Sequence, residues 1–422
     1  MTNNHRWQGD KHMIYKNINI YNIFLRSVEN NKSLQLTIER AKDMGFDTIY
    51  FNPFFKTGKS KSIYSITDYY NFDFLSFDKN AEPKQQVKEI VALCNKNNLR
   101  PIIDLVINHT AIDSELIKSN PNFYCYANGN IKIASGRDIG KTVIWHDLAQ
   151  LDYNNLQSGL WDYMLGVCNY YVSLGFRGFR CDASDQVAST FWTWLISKIK
   201  STDPDILFIG EAFLCSTKVR IDLAYAGFDY IYNSAKWWDY KSDWLLEEYN
   251  STYQYISTIS FPDNHDTQRL MKEVEGNTRL FLQHLYFTAF WSQGFQITAG
   301  TEFGVCEQLN CVTTRRSHQE ITQYDFTKHI KELLKVRKFI FNRSVDKHKA
   351  YLHCLGYEAN YPQKIVYENN LIQIINQLYS LIVDLKKTEI KIELSSFSDD
   401  SYIGTFNCID SQPETQQEFS WR

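Results

Sequence analysis

The sequence lacks the features that mark several classes of protein. It contains no apolar run of 18 or more residues, so no transmembrane helix is predicted. The first residues, MTNNHRWQGDKHMIYK, include no apolar core of a secretory signal peptide. The formal net charge is only −3, which gives no electrostatic basis for binding nucleic acid or an anionic membrane. We therefore expect a cytoplasmic protein with neither partner, although export by a route without a cleavable signal stays open.

Patterned cysteines are also absent. The nine cysteines are odd in number, none forms a C-x-x-C pair, and Cys306 and Cys311 have no matching histidine pair. Reduced thiols that mostly fill the core are the simplest interpretation of this scatter. No glycine-rich dinucleotide turn follows the first predicted strand. We expect neither a cofactor nor a bound metal.

Aromatic residues, by contrast, are abundant. They make up 15% of the chain, with 27 Tyr, 27 Phe and 10 Trp. Flat rings serve as apolar platforms in sugar-binding clefts, and a genome biased toward Tyr, Phe, Asn, Ile and Lys would produce the same enrichment. Both interpretations stay open.

Apolar segments alternate with stretches of helical period along most of the chain. Continuous β-branched and aromatic runs between helices are typical of strands buried on both faces of a parallel sheet. The helices show one apolar face each, as in 81–98, where Val87, Ile90, Val91 and Cys94 recur at three and four residues. Eight strands are predicted, at 18–25, 47–52, 101–107, 176–181, 205–210, 228–232, 256–261 and 295–299. Eight strand-helix repeats favour a closed (β/α)8 barrel, an α/β fold, over an open sheet.

Three departures from the repeat suggest the domain organisation. Residues 1–12 are polar, and we expect them to be disordered. The barrel should occupy 13–345, and 110–150, with no strong helical period, should form a short excursion after the third strand. From about 350 the chain has strand-like runs without helices, which predicts a separate antiparallel, sandwich-like β domain over 350–422.

Charged and polar residues follow four of the predicted strands. Barrel enzymes place their chemistry at the carboxyl ends of strands, so these groups should meet at one rim. A single Asp in such a place is usually a helix cap or turn former, but four polar strand ends are harder to explain that way. Three acids at one mouth match the needs of glycoside hydrolysis. The groups are Asp104, Asn108 and His109 at the end of strand three, Arg180 and Asp182 at the end of strand four, Glu211 at the end of strand five, and Asp263, Asn264, His265 and Asp266 at the end of strand seven.

These segments resemble, in order and spacing, the four signature regions of the α-amylase family, glycoside hydrolase family 13. The matching segments are DLVINHT (104–110), GFRGFRCDA (175–183), GEA (210–212) and FPDNHDT (261–267). WHDLAQLDYNN (145–155) is especially similar to α-amylases and maltosyltransferases, and GTEFG (300–304) resembles the segment after strand eight. The resemblance covers roughly 14–340, and four motifs in order are far more specific than any one of them.

The resemblance implies a role for each matching residue. Asp182 would be the nucleophile, Glu211 the general acid and base, and Asp266 the group that stabilises the transition state. Arg180 would keep the nucleophile ionised, because an adjacent guanidinium lowers a carboxylate's pKa. Sugar hydroxyls or rings would contact Tyr64, His109, His265 and Arg269.

Three departures from the family pattern affect these implications. Tyr64 is followed by Ser65 instead of the frequent aspartate, and Asp185-Gln186 replaces a Lys-His pair expected near the acceptor sugars. In calcium-dependent members the asparagine matching Asn108 binds the ion with acids of the excursion, for which Asp113, Glu115, Asp138 and Asp147 are the candidates here. The excursion contains no dense acidic loop, so we expect no calcium.

The leading hypothesis is a retaining enzyme that hydrolyses or transfers units of α-1,4-linked glucans or maltooligosaccharides. Hydrolysis and transfer would use the same residues. Phe213 and the pair Trp237-Trp238 are candidate sugar platforms, and core packing of the pair is an equal alternative. The alternative function is a catalytically inactive, amylase-fold glycan-binding or scaffold protein. An aldolase-like barrel would need a strand-end lysine, and none of the predicted strands supplies one.

Overall fold

The computed structural model describes residues 17–73, 76, 81–138, 141–213, 215–314 and 322–346, together with five strands between 364 and 406. The segment 1–12 lies outside this part of the chain, so its predicted disorder stays a prediction. Among the described residues, no helix is long and apolar enough to cross a membrane.

Eight parallel strands close into a barrel in which each strand pairs with its neighbours in chain order. All eight lie at the places that the sequence predicted, which confirms the (β/α)8 fold. We number them β1 to β8: Ile18–Ile23, Thr48–Phe51, Arg100–Leu105, Gly178–Cys181, Leu207–Gly210, Tyr230–Tyr232, Ser257–Ser260 and Gly294–Thr298. The barrel closes where β1 pairs with β8, with Ile18 opposite Gly294.

Each barrel strand is followed by one of eight longer helices. In the first, Asn30 caps the helix by accepting a hydrogen bond from the Ser33 amide, and Gly45 ends it with a φ of 106°. The helices, α1 to α8, are Asn31–Met44, Pro83–Lys96, Leu160–Ser173, Ser189–Thr202, Thr217–Ala226, Trp244–Asn250, Thr278–Trp291 and Thr327–Asp346. Shorter helices, mostly 3-10, lie at Leu25–Ser27, Leu116–Ser119, Pro121–Phe123, Ser184–Gln186, Ala235–Trp237, Leu270–Glu273 and Thr301–Phe303.

Two excursions rise from the carboxyl ends of β2 and β3. The first is a hairpin of Phe55–Thr57 and Ile66–Phe72, which the sequence did not predict. The second lies at the predicted place and contains an antiparallel sheet in which Lys141–Gln150 pairs with His109–Ala111 and with Ile133–Asp138. A small hairpin of Tyr126–Ala127 and Asn130–Ile131 completes it. Both excursions stand beside the strand ends that carry the candidate site.

Two apolar clusters fill the fold. The larger lies between the strands and the helices and includes the predicted apolar face of α2. The smaller takes alternate residues from several strands, a pattern that places it inside the barrel. Tyr50 and Tyr232 belong to this inner cluster, and the Tyr50 hydroxyl reaches Asp104 at its upper edge.

Near the carboxyl terminus, five described strands form one antiparallel sheet in chain order. They are Lys364–Glu368, Leu371–Ile375, Tyr379–Asp384, Glu389–Leu394 and Ile403–Phe406. The sheet lies within the predicted β region. The domain boundaries and the sandwich-like arrangement stay predictions.

Candidate active site

One buried guanidinium joins carboxylates from three strand ends. Arg180 lies on β4, directly beside Asp104 of β3 in the parallel register. Its Nη1 lies 2.9 Å from Asp104 Oδ1 and 3.0 Å from Asp182 Oδ1, and its Nη2 donates to Glu211 Oε1. The Arg180 side chain is only 2% exposed. Because side chains alternate along a strand, Arg180 and Asp182 share one face, which is why the sequence spacing brings them together.

A strained turn after β4 fixes the position of Glu211. Ala183, with a φ of 44°, adopts a left-handed conformation that residues other than glycine seldom take. Its amide donates to Glu211 Oε2 at 3.0 Å, and Ser184 Oγ donates to the Glu211 carbonyl at 2.7 Å. A Cβ on Gly210 would lie 2.9 Å from Ser184 Oγ, so the residue before Glu211 has little room for a side chain. The turn therefore holds Glu211 against the Asp182 strand end.

Tyr64 links the second strand's excursion to the site. Its hydroxyl donates to Asp104 Oδ2 at 3.1 Å and contacts His265 Nε2. The Tyr64 and His265 rings are stacked, with centroids 5.7 Å apart and planes inclined by 18°. His265 Nε2 also lies 3.0 Å from Asp266 Oδ2. The structure thus brings together the predicted residues Tyr64, His265 and Asp266 with Asp104.

Two buried histidines keep a ring nitrogen without a partner among the described residues. These atoms are His109 Nε2 and His265 Nδ1. Buried polar atoms are nearly always paired, so a nitrogen left open in a cleft suits a hydroxyl of a bound molecule. Burial lowers the pKa of His109 to about 4, although Asp147 acts in the opposite direction. His109 is therefore neutral at pH 7 and can donate or accept a hydrogen bond without adding charge.

The three acids differ in how their surroundings shift their pKa values. Burial and the neighbouring Glu211 raise the pKa of Asp182 well above its usual value, against the opposing charge of Arg180. Burial also raises the pKa of Glu211, again against Arg180. For Asp266, whose side chain is 55% exposed, the partial loss of water acts upward, but the contact with His265 and the positive charge of Arg180 outweigh it and lower the pKa. Arg180 therefore acts on Asp182 in the expected direction, lowering its pKa, while burial and Glu211 act more strongly in the opposite direction.

The candidate platform residues separate into two groups. Phe213 packs edge-on against Trp237, with ring centroids 5.4 Å apart, and Trp237 is 38% exposed. Trp238 is only 3% exposed and stacks on Phe287 in the core. Phe213 and Trp237 are therefore available as a platform beside Glu211, whereas the platform interpretation of Trp238 was wrong.

Arg269 lies away from the group that Arg180 assembles. It is 1% exposed, and its guanidinium donates to the carbonyls of Thr298 and Ala299 and to Thr301 Oγ1. These contacts join the turn after β7 to the segment after β8. In this conformation Arg269 supports the mouth without opening into it.

Two residues at the site were not predicted from the sequence. Tyr50 donates to Asp104 Oδ2 at 2.6 Å, which fixes the acid that Arg180 also contacts. Trp145, half-buried in the second excursion, places its ring centroid 5.4 Å from that of His109. The sequence of β2 is an apolar run and did not indicate that Tyr50 would contact an acid. Trp145 could have been found, because it begins the family-like segment 145–155.

The side chain of Asn108 does not fit a calcium ligand. Its Oδ1 accepts a hydrogen bond from Gln150 Nε2 at 2.9 Å, and Asp113 accepts from the Lys59 amide. Across the described ranges, no three His, Cys, Asp or Glu residues gather as metal ligands. Calcium independence stays a prediction that chelation can test.

Comparisons with known proteins point to the same family as the motifs. A family profile described as "Glycogen debranching enzyme, glucanotransferase domain" matches residues 11–131. An α-1,4-glucan:maltose-1-phosphate maltosyltransferase of Mycobacterium tuberculosis is 35% identical over 119 residues, 28% of this chain and 16% of that enzyme. The enzyme of the same name from Picrophilus torridus is 23% identical over 258 residues, 57% of this chain and 40% of that enzyme. The chain thus matches less than half the length of these relatives.

Solved structures show the same fold over nearly the whole chain. An α-amylase from Lactobacillus plantarum has a TM-score of 0.72 at 20% identity and covers 92% of this chain and 93% of its own. An Anoxybacillus α-amylase has a TM-score of 0.70 at 16% identity, with coverages of 93% and 96%. Together with the profile and the maltosyltransferase relatives, these matches confirm the resemblance to the α-amylase family.

Proposed function

We propose that this protein is a retaining enzyme that cleaves or transfers α-1,4-linked glucose units of glucans or maltooligosaccharides through a covalent glycosyl-enzyme. The observation that carries the proposal is the contact of one guanidinium, Arg180, with Asp104, Asp182 and Glu211 at the carboxyl ends of three strands. The maltosyltransferase relatives and α-amylase folds support a glucan substrate.

In the first step, Asp182 attacks the anomeric carbon while the bond to the leaving sugar oxygen breaks. Glu211 gives its proton to that oxygen, and a β-glycosyl ester forms on Asp182. Burial raises the pKa values of both Glu211 and Asp182, so this pair retains a proton, and the step uses the form in which Glu211 carries it and Asp182 is ionised. Asp266, held by His265 and kept ionised by its lowered pKa, stabilises the positive charge that develops on the sugar ring.

In the second step, an oxygen of water or of an acceptor sugar attacks the same carbon. Ionised Glu211 takes the proton of that oxygen, the ester bond breaks, and Asp182 returns to its carboxylate form. Each of the two attacks inverts the configuration of the anomeric carbon, so the product has the same α configuration as the substrate. Phe213 and Trp237, beside Glu211, offer rings on which an acceptor sugar can stack, which favours transfer alongside hydrolysis.

An inactive scaffold on the same fold is the alternative. The three acids lie at one mouth and are joined through Arg180 and His265, whereas a scaffold has no need of three partly uncompensated carboxylates. Incubation with maltoheptaose, glycogen, trehalose, sucrose and maltose 1-phosphate, followed by chromatography, separates the two functions. New oligosaccharides from the wild-type protein support the enzyme, and turnover of none of the five substrates supports the scaffold.

The role of Glu211 can be tested separately. Glu211→Ala should lose activity on maltoheptaose but keep the first step with α-maltosyl fluoride, whose leaving group needs no proton. Added azide should then restore turnover and yield an α-glycosyl azide, because a small anion needs no general base. Asp182→Ala is the matched control and should form no α-azide. Equal rescue of both variants would overturn these roles.

A further inference from the structure

Another buried guanidinium, that of Arg26, lies near the mouth and outside the group of catalytic candidates. Arg26 belongs to the 3-10 turn Leu25–Ser27 that follows β1. Its Nε lies 2.7 Å from Asp73 Oδ2, and both side chains are 1% exposed. Ser76 Oγ donates to the same Asp73 oxygen at 3.0 Å. The pair is therefore fully withdrawn from water and held in one geometry.

The Nη1 atom of the Arg26 guanidinium contacts two backbone carbonyls from distant loops. Nη1 donates to the Lys61 carbonyl at 2.6 Å and to the Cys311 carbonyl at 3.0 Å. The Ile63 amide donates to the same Cys311 carbonyl at 3.1 Å. Arg26 thus ties together the loop after β1, the excursion after β2 and the segment after β8.

The loop that Arg26 holds is the one that carries Tyr64. Lys61 has a φ of 63°, a left-handed conformation that its side chain makes unfavourable. The Tyr64 amide donates to Ser62 Oγ at 3.3 Å, so the strained turn leads directly to Tyr64. At its far end the Tyr64 hydroxyl meets Asp104 and His265. A shift of the Lys61 carbonyl would therefore move the ring whose hydroxyl contacts Asp104 and His265.

We propose that Arg26 is a positioning residue for substrate binding, which sets the place of the Tyr64 ring that contacts the bound sugar. This inference rests on the proposed function. Arg26 touches none of the catalytic candidates Asp182, Glu211 and Asp266, and acts through the Lys61 and Cys311 carbonyls. Lysine in its place would keep a charge for Asp73 but could not reach Asp73 and both carbonyls at once, because its single ammonium lacks the guanidinium fork.

The test is a double-mutant cycle of Arg26→Lys and Tyr64→Ala, measured on maltoheptaose. Arg26→Lys alone should lower kcat/KM by about tenfold, mostly through KM, because a displaced ring weakens binding of the sugar. In the Tyr64→Ala background the same change should have almost no further effect, since residues that act through one group are not additive. Affinity of maltoheptaose for the corresponding Asp182→Asn proteins, measured by calorimetry, should show the same pattern.

Arg337→Lys is the matched control. Arg337 is also buried and also donates to backbone carbonyls, those of Ser292 and Gln293, before β8 at the opposite end of the barrel. It should lower the melting temperature and leave KM unchanged. Losses that multiply in the Arg26 and Tyr64 double variant, or an equal rise of KM in Arg337→Lys, would overturn the positioning role. A wild-type protein with no turnover would instead overturn the proposed function, and this inference with it.

Discussion

The two ends of the barrel each contain a buried arginine, but the groups around the two side chains differ in charge. At the mouth, Arg180 contacts three carboxylates, those of Asp104, Asp182 and Glu211. At the opposite end, Arg337 donates to the side-chain oxygen of Asn19 and to the carbonyls of Ser292 and Gln293. Neutral oxygens satisfy the hydrogen-bond donors of Arg337 but leave its positive charge in place, whereas three ionised carboxylates around Arg180 leave net negative charge in a buried place.

Excess charge of this kind is costly for folding. Burial raises the pKa values of Asp182 and Glu211, and neighbouring carboxylates add to both shifts, so the mouth does not favour full ionisation of its acids. A substrate that develops positive charge on its ring would be stabilised by the same field. The lower arginine therefore supports architecture, whereas the upper one assembles a site whose charge is balanced only by a reacting molecule.

Removing one acid from the mouth should produce the largest effect on activity. Asp182→Asn should lower kcat on maltoheptaose by at least about 10³-fold, because the covalent step has no substitute. The melting temperature of this variant should stay equal or rise, because the substitution removes the buried negative charge of Asp182, which Arg180 only partly compensates. Steady-state kinetics and calorimetry on the same preparation check both values. Activity near that of the wild type with an unchanged circular dichroism spectrum would contradict the role of Asp182.

The lower arginine should show the reverse pattern. Arg337→Met removes its hydrogen bonds to Asn19 and the carbonyls before β8, and should lower the free energy of unfolding by about 3 kcal/mol. The kcat per folded molecule should stay within about twofold of the wild type, because no catalytic candidate loses a contact. Urea unfolding and kinetics measure the two quantities. A large loss of kcat with unchanged stability would remove the distinction between the two ends.

Buried histidines should make the protein sensitive to acid. Burial lowers the pKa of His109 to about 4, and burial with nearby Lys236 lowers that of His284 to about 4. The unfolded chain binds these protons near pH 6.5 and the folded chain near 4, so each histidine reduces stability as the pH falls through that window, by up to about 3 kcal/mol. The raised carboxyls at the mouth act in the opposite direction.

The contribution of one histidine is isolated by comparing His284→Gln with the wild type in urea at pH 7 and pH 4.5. The wild type should lose more stability between these pH values than the variant. Equal losses would show that His284 is not held neutral in the folded protein.

The smallest expected effect concerns the platform beside Glu211. Phe213→Ala should lower the ratio of transfer to hydrolysis roughly fivefold, since stacking of one sugar on such a ring contributes about 1 kcal/mol. Total donor consumption should change less. Trp238→Phe is the control, because its ring lies in the core against Phe287 and should leave the ratio unchanged. Products no longer than the starting oligosaccharide, even at high concentration, would leave hydrolysis as the sole reaction.

Local sequence patterns were sufficient to predict the fold. They could not predict contacts between residues that lie far apart in the sequence. Asp182 and Glu211 each follow an apolar run that reads as a strand, so the shared rim of a parallel barrel brought them together. Arg26 and Cys311 are 285 residues apart, and no local pattern indicates that contact. The sequence could not distinguish a platform from core packing for Trp237 and Trp238. Adjacent residues at the end of a 3-10 turn can face opposite environments, and here Trp237 is exposed while Trp238 is buried.

The most direct test of the account is the anomeric form of the fresh product, followed by proton NMR during hydrolysis of maltoheptaose. Two successive attacks at one carbon, first by Asp182 and then by water, predict that the α anomer appears first and converts slowly to the equilibrium mixture. A β anomer as the first product would mean a single attack by water, and would contradict the covalent role of Asp182.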